Sequence, residues 1–187
     1  MNKAMRYAAG VLMFFVMSCG EDTVVPVLDE AWGLWESGLY AEAHVKFTEA
    51  GGREGTNGLG WTTLKMDSLE KAEAYFAIAA LGGEDTLTDA MAGLTITAWQ
   101  QGDHLISLQA AQYILRTEPN YIFSHDVSIN KDLIILAKAY DEYHLGQYAN
   151  CIASIQLLDN TFSANVNDPA SARILLDKLD LLSGSGS

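Results

Sequence analysis

Small and large apolar residues recur along the chain at fixed distances from a series of turn residues. Counted from Gly38, an aromatic residue follows at position +2, a small residue at +5, a large apolar residue at +9 and a small residue at +12. A similar spacing follows Asp67, Gly102 and Gly146. Steps of three and four residues place these side chains on one face of an α-helix. Four copies of the pattern predict an all-α repeat protein.

Glycines and prolines indicate where the helices end. Gly51-Gly52 and Gly82-Gly83 each follow a helical pattern, and glycine takes the left-handed conformation beyond a helix end without a steric penalty. Pro119 ends a sixth helix because proline cannot continue one, and Asp168-Pro169 is a typical start for a last helix. A longer insertion, Tyr121 to Ile129, precedes the seventh helix. The predicted helices span residues 27–37, 40–50, 54–66, 69–81, 89–101, 104–117, 131–145, 148–159 and 168–182.

A small residue also lies seven positions before each turn, and these residues are Ala31, Gly60, Thr95 and Ala139. With this feature the helical pairs resemble tetratricopeptide repeats. The resemblance implies a tetratricopeptide-like α-α superhelix of about four helical pairs plus a C-terminal helix, over residues 27–182. Successive turns lie 29, 35 and 44 residues apart, against about 34 in the regular family. We therefore expect a superhelix that is irregular at the insertion.

The resemblance also implies which side chains face the concave surface, namely those six and three positions before each turn. All four tryptophans of the chain fall at these positions. We call the eight residues the aromatic wall and predict that they bind a partner: Trp32, Trp35, Trp61, Leu64, Ile96, Trp99, Tyr140 and Tyr143. A surface this apolar is expected to be covered by other protein atoms rather than exposed to water. The cover could be the chain itself, through its own wall side chains or the apolar last helix, or a bound peptide or partner helix, or a second copy.

The first nineteen residues differ from the rest of the chain. Lys3 and Arg6 precede an apolar run, residues 8–17, that is too short to span a bilayer and is typical of a signal peptide. Its ending, Val16-Met-Ser-Cys19, resembles the lipobox of bacterial lipoproteins. The resemblance implies cleavage before Cys19, lipid attachment to that residue and a place in the bacterial cell envelope, facing the periplasm or the cell surface. Gly20 after the cysteine implies the outer membrane.

Two short segments flank the predicted repeat domain. Residues 20–26 are predicted to be a tether and residues 183–187, rich in serine and glycine, a flexible tail. A lipid on Cys19 would hold the domain at the membrane surface.

Charge and motif content narrow the possible functions. A net charge of −13, with no cluster of basic residues, argues against nucleic-acid binding. The chain has no two-histidine zinc spacing, phosphate-binding loop, calcium loop or nucleophile elbow, so we expect neither an enzyme nor a metal or cofactor. His125-Asp126 is the pair most worth examining for catalysis, although a turn-capping Asp beside a solvated His is the better explanation. Cys151 stands at a small position and is expected to be a buried helix contact.

Two main hypotheses follow. In the first, the protein is a lipid-anchored envelope scaffold that binds a protein segment through the aromatic wall. In the second, it is a self-assembling structural subunit whose first helical pair docks onto the last helix of the next copy. An enzyme centred on His125 is a third hypothesis with less support.

Overall fold

The computed structural model describes residues 21–81, 87–168 and 170–184. The predicted signal peptide, Cys19, the Gly82-Gly83 helix stop and Pro169 lie outside these ranges. Within them the chain is all-α, as predicted, with one isolated β-bridge between Ile122 and Asn130. None of the described helices combines the length and apolar character that crossing a membrane requires. The helices are α1 (Glu21–Glu36), α2 (Tyr40–Ala50), α3 (Gly52–Lys65), α4 (Leu69–Ala80), α5 (Leu87–Gln101), α6 (His104–Thr117), α7 (Lys131–His144), α8 (Tyr148–Leu158) and α9 (Ser171–Ser183).

Each of α1 to α8 packs against the next, and α1, α3, α5 and α7 also contact one another in succession. This arrangement is a tetratricopeptide-like superhelix of four helical pairs, with α9 packed on α7 and α8. The turn inside each pair is left-handed, at the four residues from which the sequence spacing was counted. Their φ angles are 77° at Gly38, 57° at Asp67, 81° at Gly102 and 70° at Gly146. The predicted register is therefore confirmed in every pair.

The positions predicted to be small allow the helices to approach closely. The small residues seven before each turn and five after it are all buried, and they are Ala31, Gly60, Thr95, Ala139, Ala43, Ala72, Ser107 and Cys151. The residues at +9 have no exposed surface; they are Phe47, Phe76, Ala111 and Ile155. Such contacts between neighbouring helices stabilise a repeat stack.

Glycine is unusually frequent in α3, although it lowers helix stability. The reason lies in the aromatic rings packed on this helix. A Cβ atom on Gly58 would lie 2.2 Å from the ring of Phe47, and one on Gly60 would lie 2.6 Å from the ring of Phe76. A Cβ on Gly93 of α5 would also lie 2.3 Å from the Phe76 ring. These glycines make room for the two phenylalanines.

Four helix starts differ from the sequence prediction, those of α3 and α5 by two residues and those of α1 and α9 by more. Helix α1 begins at Glu21 and contains Pro26, so residues predicted to be part of a tether are helical. An acidic sequence at this start suits the positive end of the helix dipole. Helix α9 begins at Ser171, and Asp168 instead caps the preceding turn, where its Oδ1 accepts a 2.8 Å hydrogen bond from the Ala170 amide.

Candidate interaction surface: the aromatic wall and its cover

The structure leaves little of the aromatic wall exposed. Trp35, Trp61 and Ile96 are buried. The other five residues are half-buried; they are Trp32, Leu64, Trp99, Tyr140 and Tyr143. All eight lie on α1, α3, α5 and α7, the helices that contact one another along the inner side of the stack. Part of the wall therefore has a cover within the chain.

The cover of the first three pairs is the segment between α6 and α7, residues 118–130, which we call the insertion. The side chain of Phe123 is 0% exposed, and its ring stacks on Trp61 with centroids 4.3 Å apart and planes inclined by 21°. Phe123 also meets Trp32 and Trp35 edge to face, at 5.8 and 5.9 Å. We call Trp32, Trp35 and Trp61 the N-terminal wall. The insertion of the same chain covers the N-terminal wall.

Two polar side-chain contacts attach the rim of the insertion to α1 and α3. The His125 ring lies flat on Trp32, at 3.9 Å and 5°, while its Nδ1 lies 2.7 Å from Glu36 Oε1. Lys65 Nζ lies 3.1 Å from Asp126 Oδ2 and 5.2 Å from the centre of the Trp35 ring. Each polar contact is thus combined with a contact to a tryptophan face, through ring stacking at His125 and a cation–π interaction at Lys65.

Asp126 also shapes the turn of the insertion. Its Oδ1 accepts hydrogen bonds from the Ser128 amide at 3.1 Å and the Ser128 hydroxyl at 2.6 Å. Partial burial raises the pKa of Asp126, but the hydrogen bonds from Ser128 and Lys65 outweigh burial and hold that pKa below its usual range. His125 and Asp126 therefore have different partners, and the capping role expected for Asp126 is what the geometry shows.

A third polar contact joins the base of the insertion to α5. The Tyr121 hydroxyl donates a 2.8 Å hydrogen bond to Asp89 Oδ1. Burial, together with the nearby carboxylate, raises the pKa of Tyr121 far above its usual range, and burial also raises the pKa of Asp89. Tyr121 consequently stays protonated and acts as a donor.

Near its start, the insertion pairs with its own end through an isolated β-bridge between Ile122 and Asn130. The Phe123 amide donates to the Ile129 carbonyl and the Lys131 amide to the Tyr121 carbonyl, both at 2.8 Å. Alternate side chains follow the strand period of two: Tyr121 and Phe123 are buried, whereas Ile122 is 58% exposed. These residues were not among the site residues predicted from the sequence, although the aromatic rings at every second position, Tyr121, Phe123 and His125, were a usable signal of a buried face.

The C-terminal end of the wall has a different environment. Trp99 packs against Tyr140 with ring centroids 5.4 Å apart, and the Tyr140 hydroxyl donates a 2.8 Å hydrogen bond to Asp180 of α9. Tyr143 packs against Tyr148 of α8 at 5.8 Å. Leu175 and Leu179 of α9 are buried in the small core that α7, α8 and α9 share. Helix α9 therefore contacts one end of the wall.

A cavity of about 310 Å³ remains open between α3, α5, α7 and the insertion. It includes two residues of the predicted site, Leu64 and Ile96. Five residues contribute polar atoms to the lining, namely Lys65, Asp67, Gln100, Asp126 and Ser128, and the remaining apolar residues are Ile129 and Leu133. A cavity that combines apolar and polar side chains can receive and orient part of a partner segment.

A polar cluster away from the wall joins the third and fourth pairs. His104 Nδ1 lies 2.9 Å from Asp141 Oδ1, and the His104 and His144 rings stack at 4.2 Å. Burial raises the pKa of Asp141 to about 6, although the neighbouring Ser107 hydroxyl and the His104 ring act in the opposite direction. The part of the chain that the structure describes contains no group of three or more His, Cys, Asp or Glu suited to hold a metal ion.

Cys151 is fully buried, as expected for its small position. Burial raises the pKa of its thiol to about 12. The thiolate, which is the reactive form, is therefore scarce at neutral pH.

Comparison with known proteins finds similarity in structure alone. No protein-family model matches the chain, and no curated protein matches it. A D159K mutant of MamA is similar in structure, with a TM-score of 0.61, 12% identity and coverage of 87% of this chain and 89% of the MamA chain. The MSR-1 form of MamA has a TM-score of 0.60 and 14% identity, with coverage of 87% of this chain and 88% of the MamA chain. The AMB-1 form in a P212121 crystal has a TM-score of 0.61 and 12% identity, with coverage of 89% of this chain and 86% of the MamA chain. The likeness spans nearly the whole of each chain and shows a shared all-α superhelical fold.

Proposed function

We propose that this protein is a lipid-anchored scaffold of the bacterial cell envelope that binds a segment of a partner protein at its concave face. The repeat fold supports a role in protein interaction. The signal-like N-terminus ending in Cys19 supports the anchor and the envelope location, with the outer membrane favoured by Gly20. The wall supports a site on the inner surface of the stack.

The observation that carries the proposal is the open cavity beside the insertion. Because the insertion fills the N-terminal wall, the partner segment is proposed to bind farther along, from Leu64 and Ile96 to Trp99, Tyr140 and Tyr143. An apolar side chain of the partner would enter the cavity, and its polar groups would meet Gln100 and the Lys65–Asp126 pair at the rim. The acidic surface, with a net charge of −13, favours fast association with a basic segment.

A cavity-filling substitution tests the site without disturbing the core. Gln100 is exposed on α5 and lines the cavity, so Gln100→Trp should block it. Gln109→Trp is the matched control, because Gln109 is an exposed glutamine of the neighbouring helix α6 outside that cavity. After crosslinking in the native envelope, the partner recovered with the wild type should be lost with Gln100→Trp and kept with Gln109→Trp. Equal recovery from both variants would contradict the site.

The anchor needs a separate test. Cys19→Ala should abolish incorporation of a labelled fatty acid and release the protein from the membrane fraction. Density-gradient separation of the two membranes then tests the outer-membrane location. A wild-type protein that takes up no label, or a Cys19→Ala protein that stays with the membrane, would contradict lipid anchoring.

A self-assembling structural subunit is the second candidate, and one observation favours it. Helix α9, the last helix of the stack, exposes Ile174 and Leu181 on one face, seven residues apart. Terminal helices of repeat proteins usually present a polar outer face. If the first pair of another copy covers this face, Ile174→Asp with Leu181→Asp should convert the assembly to monomer in sedimentation velocity. A wild type that is monomeric at all concentrations would exclude this candidate.

A further inference from the structure

The insertion is attached to the repeat stack by side chains rather than by its backbone. Within the described residues, the backbone hydrogen bonds of residues 121–130 all close inside the segment 118–134. Asn130 and Asp126 complete this local network, since Asn130 accepts from the Asp132 amide at 3.0 Å and Asp126 accepts from the Ser128 amide. If the insertion left the wall, no backbone donor or acceptor would therefore lose its hydrogen-bond partner.

The side-chain attachments are long-range in sequence and match the wall closely. Phe123 enters among the three tryptophans, and Tyr121 bonds to Asp89. At the rim, His125 contacts Glu36, and opposite charges face each other in the Lys65–Asp126 pair. The insertion thus meets the N-terminal wall as a bound peptide would, with an aromatic anchor at the centre and polar contacts around it.

We propose that the insertion is an exchangeable ligand of the N-terminal wall, and that a second copy of this chain is the partner whose insertion replaces it. Such exchange goes beyond the scaffold function proposed above and needs no other envelope protein. Its basis is that the chain already contains a segment that fits the wall, and every copy carries both the segment and the wall. Reciprocal exchange would preserve each contact described above, including Phe123 on Trp61 and Lys65 on Asp126.

The conditions that favour exchange follow from the geometry. The segment at the start of the insertion, Glu118 to Asn120, is exposed and contains Pro119, so it can act as a hinge. Because α7 begins directly after the insertion, α7 to α9 are exchanged together with it. Exchange of identical elements in this way is an inexpensive route to dimers, since only the hinge changes conformation. Within one chain the effective concentration of the insertion at its wall is on the order of mM. A second copy therefore competes best when crowded, as on a membrane surface, or when the contact within the chain is weakened.

A charge-swap experiment weakens the contact within each chain and restores it between chains. Lys65→Glu places two carboxylates together in one copy, and Asp126→Lys places two ammonium groups together in the other. In a mixed dimer with exchanged insertions, the introduced carboxylate at position 65 faces the introduced ammonium group at position 126. The unchanged Lys65 of one copy then faces the unchanged Asp126 of the other, so both pairs are attractive. The double variant, Lys65→Glu with Asp126→Lys, restores attraction within the chain and controls for lost turn capping at Ser128.

We expect native mass spectrometry of the mixture to show a mixed dimer that exceeds either homodimer by on the order of tenfold. The double variant should behave as the wild type does. A mixture with no more dimer than its components overturns the proposal. A mixed dimer that forms equally well between Glu49→Lys and Lys71→Glu, exposed substitutions outside the Lys65–Asp126 pair, overturns it as well.

A second measurement uses a synthetic peptide with the sequence of residues 118–131. We expect it to bind the full chain carrying Phe123→Ala, whose wall has lost its anchor, and to bind the wild type at least tenfold more weakly. A peptide with alanine at position 123 is the matched control and should not bind. A folded Phe123→Ala chain that ignores the peptide overturns the exchange. Both experiments use purified protein, so they can fail while the Gln100→Trp test of the scaffold function succeeds, and the reverse.

Discussion

Phe123 and Trp61 stack with their ring centroids 4.3 Å apart, although they come from different repeats and one of them belongs to no helix. Because of this contact, part of the aromatic wall is not free to bind a partner. A surface that the sequence presents as an open row of tryptophans is, over its first half, an internal packing surface. The open part of the concave face is displaced toward the fourth pair.

Removing the Phe123 ring should destabilise the whole stack. Phe123→Ala takes a fully buried ring from among three tryptophans, and such changes lower the free energy of unfolding by about 3–5 kcal/mol. The adjacent Ile122→Ala is the control, because its side chain is largely exposed and its loss should change that free energy by no more than about 0.5 kcal/mol. Urea unfolding followed by tryptophan fluorescence measures both. Similar losses in the two variants would show that the ring contact has no special importance.

The glycines of the inner helices should respond to alanine in opposite ways. Gly60→Ala places a Cβ atom 2.6 Å from the Phe76 ring, and overpacking of this kind lowers the free energy of unfolding by about 1–3 kcal/mol. Gly33→Ala in α1 meets nothing within 4 Å and should raise that free energy by about 0.5–1 kcal/mol through helix propensity. Thermal unfolding of the two variants supplies the comparison. A neutral or stabilising Gly60→Ala would mean that Phe76 can move aside.

Asp141 should make the protein less stable as the pH rises from about 4 to about 6. Its pKa is raised from 3.8 to about 6 in the folded protein, so the folded state holds a proton that the unfolded state releases across this window. His144 acts in the opposite sense, because burial and the neighbouring His104 lower its pKa. A comparison of the wild type with Asp141→Asn isolates the contribution of Asp141.

The expected result is that Asp141→Asn gains stability relative to the wild type as the pH increases, by up to about 3 kcal/mol between pH 4 and pH 7. Urea unfolding at a series of pH values provides the two curves. If the difference between them is constant across this range, the buried carboxyl does not take up its proton near pH 6.

Cys151 should be unreactive in the folded protein. Its thiol has no exposed surface and its pKa is raised to about 12. In a full chain carrying Cys19→Ser, iodoacetamide at pH 8 should label Cys151 only after urea is added. Rapid labelling without urea would indicate that α8 opens readily. Cys151→Ala should leave the helical content unchanged, since the first two repeats have alanine at this position.

The sequence was most informative where structure depends on neighbours along one helix. The four turn residues, the small residues around them and the phenylalanines at +9 all lie where local spacing predicted. Even Asp67 takes the left-handed conformation that its glycine counterparts take. In each case the steric requirement involves residues that are close together in the sequence, so the spacing of residue types predicts it.

The cover of the wall could not be found in the same way. Tyr121 and Phe123 lie in a segment with a single β-bridge, and nothing within a few residues shows that Phe123 meets Trp61. The spacing of 44 residues revealed that an insertion exists, but its docking depends on tertiary contacts with Trp32, Trp35 and Trp61. The start of α1 is a similar case, because an acidic segment with one proline is compatible with either a helix or a tether.

The early start of α1 affects how freely the protein could move at a membrane. Helix begins at Glu21, two positions after Cys19, and two residues of chain reach at most about 7 Å. A lipid on Cys19 would then leave almost no flexible linker between the membrane and α1. The stack would lie close to the lipid headgroups, and its range of tilt would be restricted. The concave face would reach partners only in a thin layer above the bilayer, whereas a long flexible linker would let it reach farther from the membrane.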